Sequence, residues 1–453
     1  MSEKTVAAIS TPRGMGGISV IRISGDDAIT IAERCFKAAS GRALSSLKGY
    51  EAAFGCVFSD TEVIDEAVAL VFRTPKSYTG ENVVEISVHG GTAVAEKALR
   101  RVFEAGAEPA GNGEFTKRAF LNGKLDLAEA ESVMELISAK NNTALRISKA
   151  AKDGRISREI EEITAKLLET AASLAAYADY PDEEIEGLNY DNFSLLLNDC
   201  KQKLKRMLDT FDASKSLREG IDCAIVGKPN VGKSTLMNML SGFERSIVTD
   251  IAGTTRDVIE NTVMLGDLTL NLADTAGIRN TDDVVETVGV NLAKNRIDTA
   301  SVILAVFDNS SPLTEDDKTL LAGLQTDRTV IVLNKSDLGA NLDAVAFSGF
   351  KTVEISAKEQ RGMDELQSAI EEITKIAKIS ENDAILISER QRNCAYKAYN
   401  AISEAENTLS AGFTLDAVGI CVDDAIAALL ELTGKRVANE VCDEVFRRFC
   451  VGK

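Results

Sequence analysis

Apolar and polar residues alternate in five short runs at the start of the chain: Thr5–Thr11, Gly17–Ser24, Tyr50–Phe58, Ala67–Arg73 and Val83–His89. Alternation turns one face of a strand to a core and the other to water, so these runs predict strands. Helical spacing fills Asp26–Ala39 and Thr92–Ala105, and glycines at 14, 16, 17, 90, 91, 111 and 113 mark the corners. Residues 1–120 therefore read as an α+β unit. The period then changes. Leu125, Ala128, Val133, Leu136 and Ile137 recur at helical spacing, and Thr143–Tyr177 holds no proline, no strand-like run and one glycine, Gly154. Asp179–Glu184 interrupts the pattern, and a further helix fits Phe193–Leu217. Residues 121–218 thus predict an all-helical segment. Apolar runs return at Ile221–Val226, Val258–Met264, Leu268–Ala273, Thr329–Leu333 and Thr352–Ile355, alternating with helical stretches over 219–378, the signature of a mostly parallel sheet. Residues 379–453 are helical again, with no strand candidate longer than Ala384–Ile387.

The expected fold class is multidomain α/β: an N-terminal α+β domain, a helical domain, and an α/β domain inserted into it. Neither helical segment alone buries its apolar face, so the economical reading packs them together; two independent helical subdomains are the other arrangement. A length of 453 residues suits about three domains, and 45% hydrophobic residues suffices for large cores. No apolar run reaches the ~18 residues of a membrane span, and Met1–Thr5 opens no signal peptide. Eight cysteines, none in a C-x-x-C pair, give a zinc or dithiol site no support and fit reduced thiols in the cytoplasm. The net charge of −19 opposes an extensive surface for nucleic acid, so contacts with RNA should be few, local or shared with a partner.

The loop after Ile221–Val226 carries chemistry. Gly227-Lys228-Pro229-Asn230-Val231-Gly232-Lys233-Ser234-Thr235 sits between that strand and the helical stretch Leu236–Leu240, the context a phosphate-binding loop needs. Its glycines let backbone N–H groups turn around an oxyanion, and the helix start adds positive potential. Lys233 is placed to reach the terminal phosphates and the Ser234 hydroxyl to ligate Mg²⁺. Thr249-Asp250-Ile251-Ala252-Gly253-Thr254-Thr255 follows. Thr255 there can complete the Mg²⁺ shell only when a γ-phosphate is present. A hairpin around Gly266-Asp267 then leads into Asp274-Thr275-Ala276-Gly277, with Asp274 facing Mg²⁺ through water and the Gly277 N–H facing the γ-phosphate.

Base choice points to guanine. In Asn334-Lys335-Ser336-Asp337, the Asp337 carboxylate can accept from both N1–H and the 2-amino group of guanine; adenine lacks the second donor and has an acceptor at N1. Lys335 would lie against the base plane. In Ser356-Ala357-Lys358, the Ala357 N–H can donate to the 6-oxo group. Each tetrad is weak alone; five elements in this order are specific.

Two positions depart from a simple GTPase. Ile278 stands where the Ras-like template has a water-orienting Gln, so another group must organise the water. Glu286 is the candidate, with Asp282 and Asp283 as rivals, and all three also fit solvated helix-cap charges. Asn230 could coordinate a monovalent cation beside the phosphates, with Thr249, Ile251 and the Thr254 region completing the shell; it also fits a residue that merely fixes the turn.

The phosphate loop, T-D-I-A-G-T-T-R-D, D-T-A-G, N-K-S-D and S-A-K together resemble the translation-factor-related GTPases. Arg22-Ile23-Ser24-Gly25, Tyr78-Thr79-Gly80-Glu81, His89-Gly90-Gly91, Gly113–Leu127 and Phe449-Cys450-Val451-Gly452-Lys453 narrow the resemblance to the tRNA-modifying GTPase family MnmE (TrmE), over essentially the whole chain. Val231, Thr235 and Val451 are conservative departures. The resemblance implies a K⁺-dependent GTPase, activated when two G domains meet, that dimerises through its N-terminal domain. That domain would hold a 5-formyl- or 5,10-methylene-tetrahydrofolate, at positions matching Arg22, Glu85, Lys124 and Lys453. With an FAD- and NADH-using partner, MnmG (GidA), in a heterotetramer, such proteins add an aminomethyl-type group to C5 of the wobble uridine of certain tRNAs. The family's catalytic acid falls on Glu286, and its C-terminal cysteine on Cys450. By itself Cys450 reads as a half-buried packing thiol, and His89 as structural. The alternatives are an Era- or Der-like ribosome-assembly GTPase, and a GTP-dependent switch with negligible turnover.

Overall fold

The computed structural model describes residues 4–179, 190–242, 261–272, 300–342, 344–376 and 383–453. Seven strands build the N-terminal sheet: β1 (Val6–Ile9), β2 (Ile18–Ser24), β3 (Phe36–Ala38), β4 (Glu51–Phe58), β5 (Val63–Phe72), β6 (Val83–His89) and β7 (Glu108–Pro109), in the order β3-β4-β5-β6-β2-β1-β7. All neighbours run antiparallel except β1 and β7. Helices Ala28–Cys35 and Thr92–Glu104 close over one face, burying Ile21, Ile23, Ala69, Val84 and Ile86 with Ile31, Ala98 and Val102. The alternation that buries those residues leaves the other face uncovered by these helices. On it, register aligns Ala52, Leu70, Glu85 and Arg22 in one row and Phe54, Val68, Ser87 and Val20 in the next.

The helix expected over Asp26–Ala39 stops at Cys35, and Phe36–Ala38 becomes the edge strand β3. Pairing with β4 decides this: Ala38 lies opposite Gly55, where a side chain would collide with the Lys37 backbone. Glu114–Leu121, not anticipated as a helix, forms one.

Helices Leu127–Ser138, Asn142–Lys152, Arg155–Asp179, Tyr190–Asp209 and Phe211–Glu219 pack with Glu389–Ser410, Leu415–Thr433 and Asn439–Arg447 from the far side of the α/β unit. Ile160, Ile163, Leu167, Leu197 and Leu204 share one apolar cluster with Ala395, Ile402, Val418, Val422 and Leu429. Each buried Leu or Ile is worth roughly 2 kcal/mol, so each segment needs the other, as the insertion reading requires. Arg390 clamps them further, donating to both carboxylate oxygens of Glu131 at 2.8 and 3.0 Å. The long helical pattern from Thr143 breaks at Gly154, whose φ of +79° suits glycine and ends the first helix. Ala384–Ile387 is no strand: Ile385, Leu386 and Ile387 are buried in irregular chain, and the Ile387 N–H finds its acceptor in Gln391 Oε1.

The α/β unit holds β8 (Ile221–Val226), β9 (Asn261–Leu265), β10 (Leu268–Leu272), β11 (Val302–Asp308), β12 (Thr329–Asn334) and β13 (Lys351–Glu354), in the order β13-β12-β11-β8-β10-β9. Neighbours are parallel except β9 and β10. β11 and β12 are apolar almost throughout because both faces are covered. In such sheets the crevice beyond the carboxyl ends of the strands is where ligands bind.

Candidate functional site

That crevice gathers three of the predicted nucleotide motifs: the phosphate loop, N-K-S-D and S-A-K. β8 delivers the phosphate loop, and helix Lys233–Gly242 begins within its last three residues. The Lys233 ammonium folds back onto the carbonyls of Gly227 (2.6 Å) and Lys228 (2.7 Å), and burial pushes it below the ordinary lysine range. Ser234 and Thr235 are exposed on the first turn. The loop is anchored from outside by Lys228, which donates to Asp317 Oδ2 at 2.7 Å; Asp317 is itself locked by the N–H and hydroxyl of Thr314.

Asn334, at the end of β12, is the hub. Its buried amide donates to the Val231 carbonyl at 2.9 Å, and its oxygen accepts from the Ala357 N–H at 3.0 Å. One side chain thus ties the phosphate loop, the N-K-S-D strap and the S-A-K loop into one body. Lys335 crosses back to the phosphate loop, donating to the Asn230 carbonyl at 2.9 Å. Asp337 stays exposed, oriented by the Ser356 hydroxyl at 2.7 Å; that bond first, then Lys358 and Arg361 nearby, hold its carboxyl below the usual range. It is therefore an ionised double acceptor at neutral pH. Asn230 has a left-handed backbone (φ +65°), which by itself accounts for an asparagine, while its exposed side chain has no hydrogen-bond partner among the described residues. Thr249, Asp250, Ile251, Ala252, Gly253, Thr254, Thr255, Asp274, Thr275, Ala276, Gly277 and Glu286 lie outside the described residues.

A second cluster forms on the uncovered face of the N-terminal sheet. Arg22 pairs with Glu85, Nε at 2.8 Å and an Nη at 2.7 Å from the same oxygen, and its guanidinium stacks 5.4 Å from Tyr78 and 5.3 Å from Phe115. The end of the chain comes in over it. The Gly113 and Phe115 N–H groups donate to the carbonyls of Cys450 and Lys453, and Gly452 takes a φ of +96° against Ile9. Burial and then the Arg22 charge press the Lys453 ammonium below the lysine range. Arg22, Glu85 and Lys453 are thus neighbours although separated by most of the sequence. Lys124 donates from Nζ to the Pro75 carbonyl at 3.3 Å. Cys450 is exposed rather than half-buried. His89 is exposed, its Nδ1 2.7 Å from Asp65, whose hydrogen bond raises the imidazole above its ordinary range. Sequence reasoning did not single out Phe115, or the buried Arg118 that bridges Glu81 and Glu114 beneath the cluster. Only the helix at Glu114–Leu121 aims them, and its start resembles a loop in the sequence.

A model of the MnmE helical domain matches residues 127–450, and one of the GTP-binding protein TrmE N-terminus matches residues 5–124. The tRNA modification GTPase MnmE of Clostridioides difficile (strain 630) is 37% identical over 456 residues, covering 100% of this chain and 99% of that protein. The protein of that name from Acetivibrio thermocellus is 39% identical over 458 residues, with 100% and 99% covered. The chain belongs to the MnmE/TrmE family. Likeness to the solved Aquifex aeolicus Era, at 27% identity and a TM-score of 0.25, covers 40% of this chain and 66% of that one, so it concerns a part only. The MnmE/TrmE match takes in both helical segments and the N-terminal sheet. Among the described residues no helix is long and apolar enough to cross a membrane, and no group of His, Cys, Asp and Glu could hold a metal ion on protein ligands alone. A Mg²⁺ that shares its shell with nucleotide oxygens needs no such group.

Proposed function

We propose that this chain is a cytoplasmic, K⁺-dependent GTP hydrolase that works with an FAD- and NADH-using partner of the MnmG (GidA) type to add an aminomethyl or carboxymethylaminomethyl group to C5 of the wobble uridine of certain tRNAs. The observation that carries the GTPase half is the Asn334 hub, which sets an ionised Asp337 and the phosphate loop in one rigid crevice. Lys233 would leave its two loop carbonyls for the β- and γ-phosphates. Ser234 and Thr255 would hold Mg²⁺, with Asp274 behind a water, and the ion would neutralise charge on the phosphate oxygens. The side-chain oxygen of Asn230, which has no hydrogen-bond partner among the described residues, suits K⁺, with Thr249, Ile251 and Thr254 as further oxygen donors; the cation would supply the positive charge that an arginine finger supplies elsewhere. Glu286 would orient the attacking water.

The tetrahydrofolate reading rests on the N-terminal cluster. Glu85 can accept from the amino and ring N–H edge of a pterin, Arg22 is stacked, and burial followed by the Arg22 charge holds the Lys453 ammonium below the ordinary lysine range. The bound folate would supply the one-carbon unit. Cys450, exposed beside Lys453, is available as a nucleophile. A homodimer through this domain is supported by the β4–β5 part of that sheet face, where Phe54 is 58% and Val68 41% exposed, since adjacent exposed apolar residues favour burial against a second copy.

Turnover measured in K⁺ and in Na⁺ tests the reading. Hydrolysis is expected to be at least about tenfold faster in K⁺; equal, slow rates in both salts would instead favour a switch without a cation role for Asn230. In the same assay Glu286→Ala should keep nucleotide affinity while turnover falls about 100-fold or more. Retained turnover would remove Glu286 from the mechanism.

A further inference from the structure

We propose that Asp308, at the end of β11, is a positioning residue for the guanine nucleotide that acts through Lys335. β11 and β12 run in parallel register, which sets Asp308 opposite Asn334. Asp308 Oδ2 accepts from the Lys335 ammonium at 2.6 Å, while Oδ1 accepts from the N–H (3.0 Å) and the hydroxyl (2.6 Å) of Ser310. The carboxylate is therefore fixed on one side before it engages the lysine on the other. Burial opposes its ionisation, but Lys335 and Ser310 outweigh that and hold it below the usual carboxylate range.

Lys335 needs such support. Its backbone is left-handed (φ +66°), a conformation long side chains avoid, and one that persists only where the surroundings over-determine it. Its Cα end is held by the strap, where the Ser336 N–H donates to the Ile355 carbonyl and the Asn309 N–H to the Asn334 carbonyl. Its Nζ end is held between Asp308 and the Asn230 carbonyl. With both ends fixed, the four-carbon stem has little freedom left, and the apolar cover over a purine ring is formed before the ligand arrives. A carboxylate so close to a triphosphate site repels the ligand unless its charge is matched. Lys335 matches it, and the gain is preorganisation, which raises affinity without choosing the base. Asp337 chooses the base; Asp308 sets how long it stays.

Release of a fluorescent GDP analogue from the full-length chain, followed by stopped flow, separates these roles. Loss of a charge-assisted bond predicts about tenfold faster release from Asp308→Asn, with an unchanged preference for GDP over IDP, which lacks the 2-amino group. The double variant Asp308→Asn/Lys335→Met should release no faster than Lys335→Met alone, because one contact cannot be lost twice. Ser310→Ala, which loosens Asp308 without touching Lys335, should accelerate release about threefold and serves if Asp308→Asn fails to fold. Unchanged release in a folded Asp308→Asn or in Ser310→Ala, or additive effects in the double variant, would overturn the assignment.

Discussion

Asp337→Asn is expected to weaken GTP binding by at least about 100-fold and to create a preference for xanthosine triphosphate. Guanine offers two adjacent donors, N1–H and the 2-amino group, to a carboxylate that Ser356 holds in place at 2.7 Å. An asparagine turns one acceptor into a donor. The 2-amino group then meets an N–H, and two donors face each other with no acceptor between them. Xanthine carries an oxygen at that position and accepts the new donor. Titration calorimetry with both triphosphates reads the exchange. If the variant bound GTP as the parent does, or if the parent held ATP as tightly as GTP, the base would be recognised elsewhere and the guanine reading would fall.

Gly232→Ala is expected to cost the α/β domain about 3 kcal/mol and to reduce nucleotide affinity by at least about 100-fold. Gly232 has φ +97°, and a Cβ there would occupy the space of Asn334 Nδ2. Asn334 has no room to yield. It is buried and bonded at both ends, to Val231 and Ala357. The methyl group would therefore displace the side chain that joins phosphate loop to base loop, adding an orphaned amide to the backbone strain. Urea unfolding followed by a probe in this domain, with calorimetry in parallel, measures both. Ordinary stability with lost binding would mean that the glycine serves only the phosphate. Ordinary binding would mean that the Asn334 hub is not needed.

Much of the architecture could be read from the chain because period is a local property. Strands β2, β4 and β6, the hairpin at Gly266-Asp267 and the buried β8 and β12 lie where the apolar runs put them; β11 (Val302–Asp308) is not among those runs. The misses are places where a distant partner outvotes local preference. β3 exists because β4 offers Gly55 for close approach. Ile385–Ile387 is apolar because it threads a core, and Gln391 supplies the hydrogen bond that a neighbouring strand would have given. Thr210 divides the helix expected over Phe193–Leu217, a break with no proline or glycine to announce it.

The nucleotide site was legible for a related reason. In the proposed reading, phosphate and base are gripped by short contiguous motifs, whose backbone N–H groups and side chains would reach the ligand from single loops. The chemistry of each motif therefore travels with its sequence. By contrast, that Lys453 sits beside Arg22, or that Asp308 and Asp317 brace the two lysines of the strap and the loop, depends on sheet register and on where the last helix ends. The chain alone determined the periods, the phosphate loop and the carboxylate proposed to read the base. Only the folded packing decided which far-apart charges became neighbours, because burial and pairing energies belong to the space between elements and to no single stretch of residues.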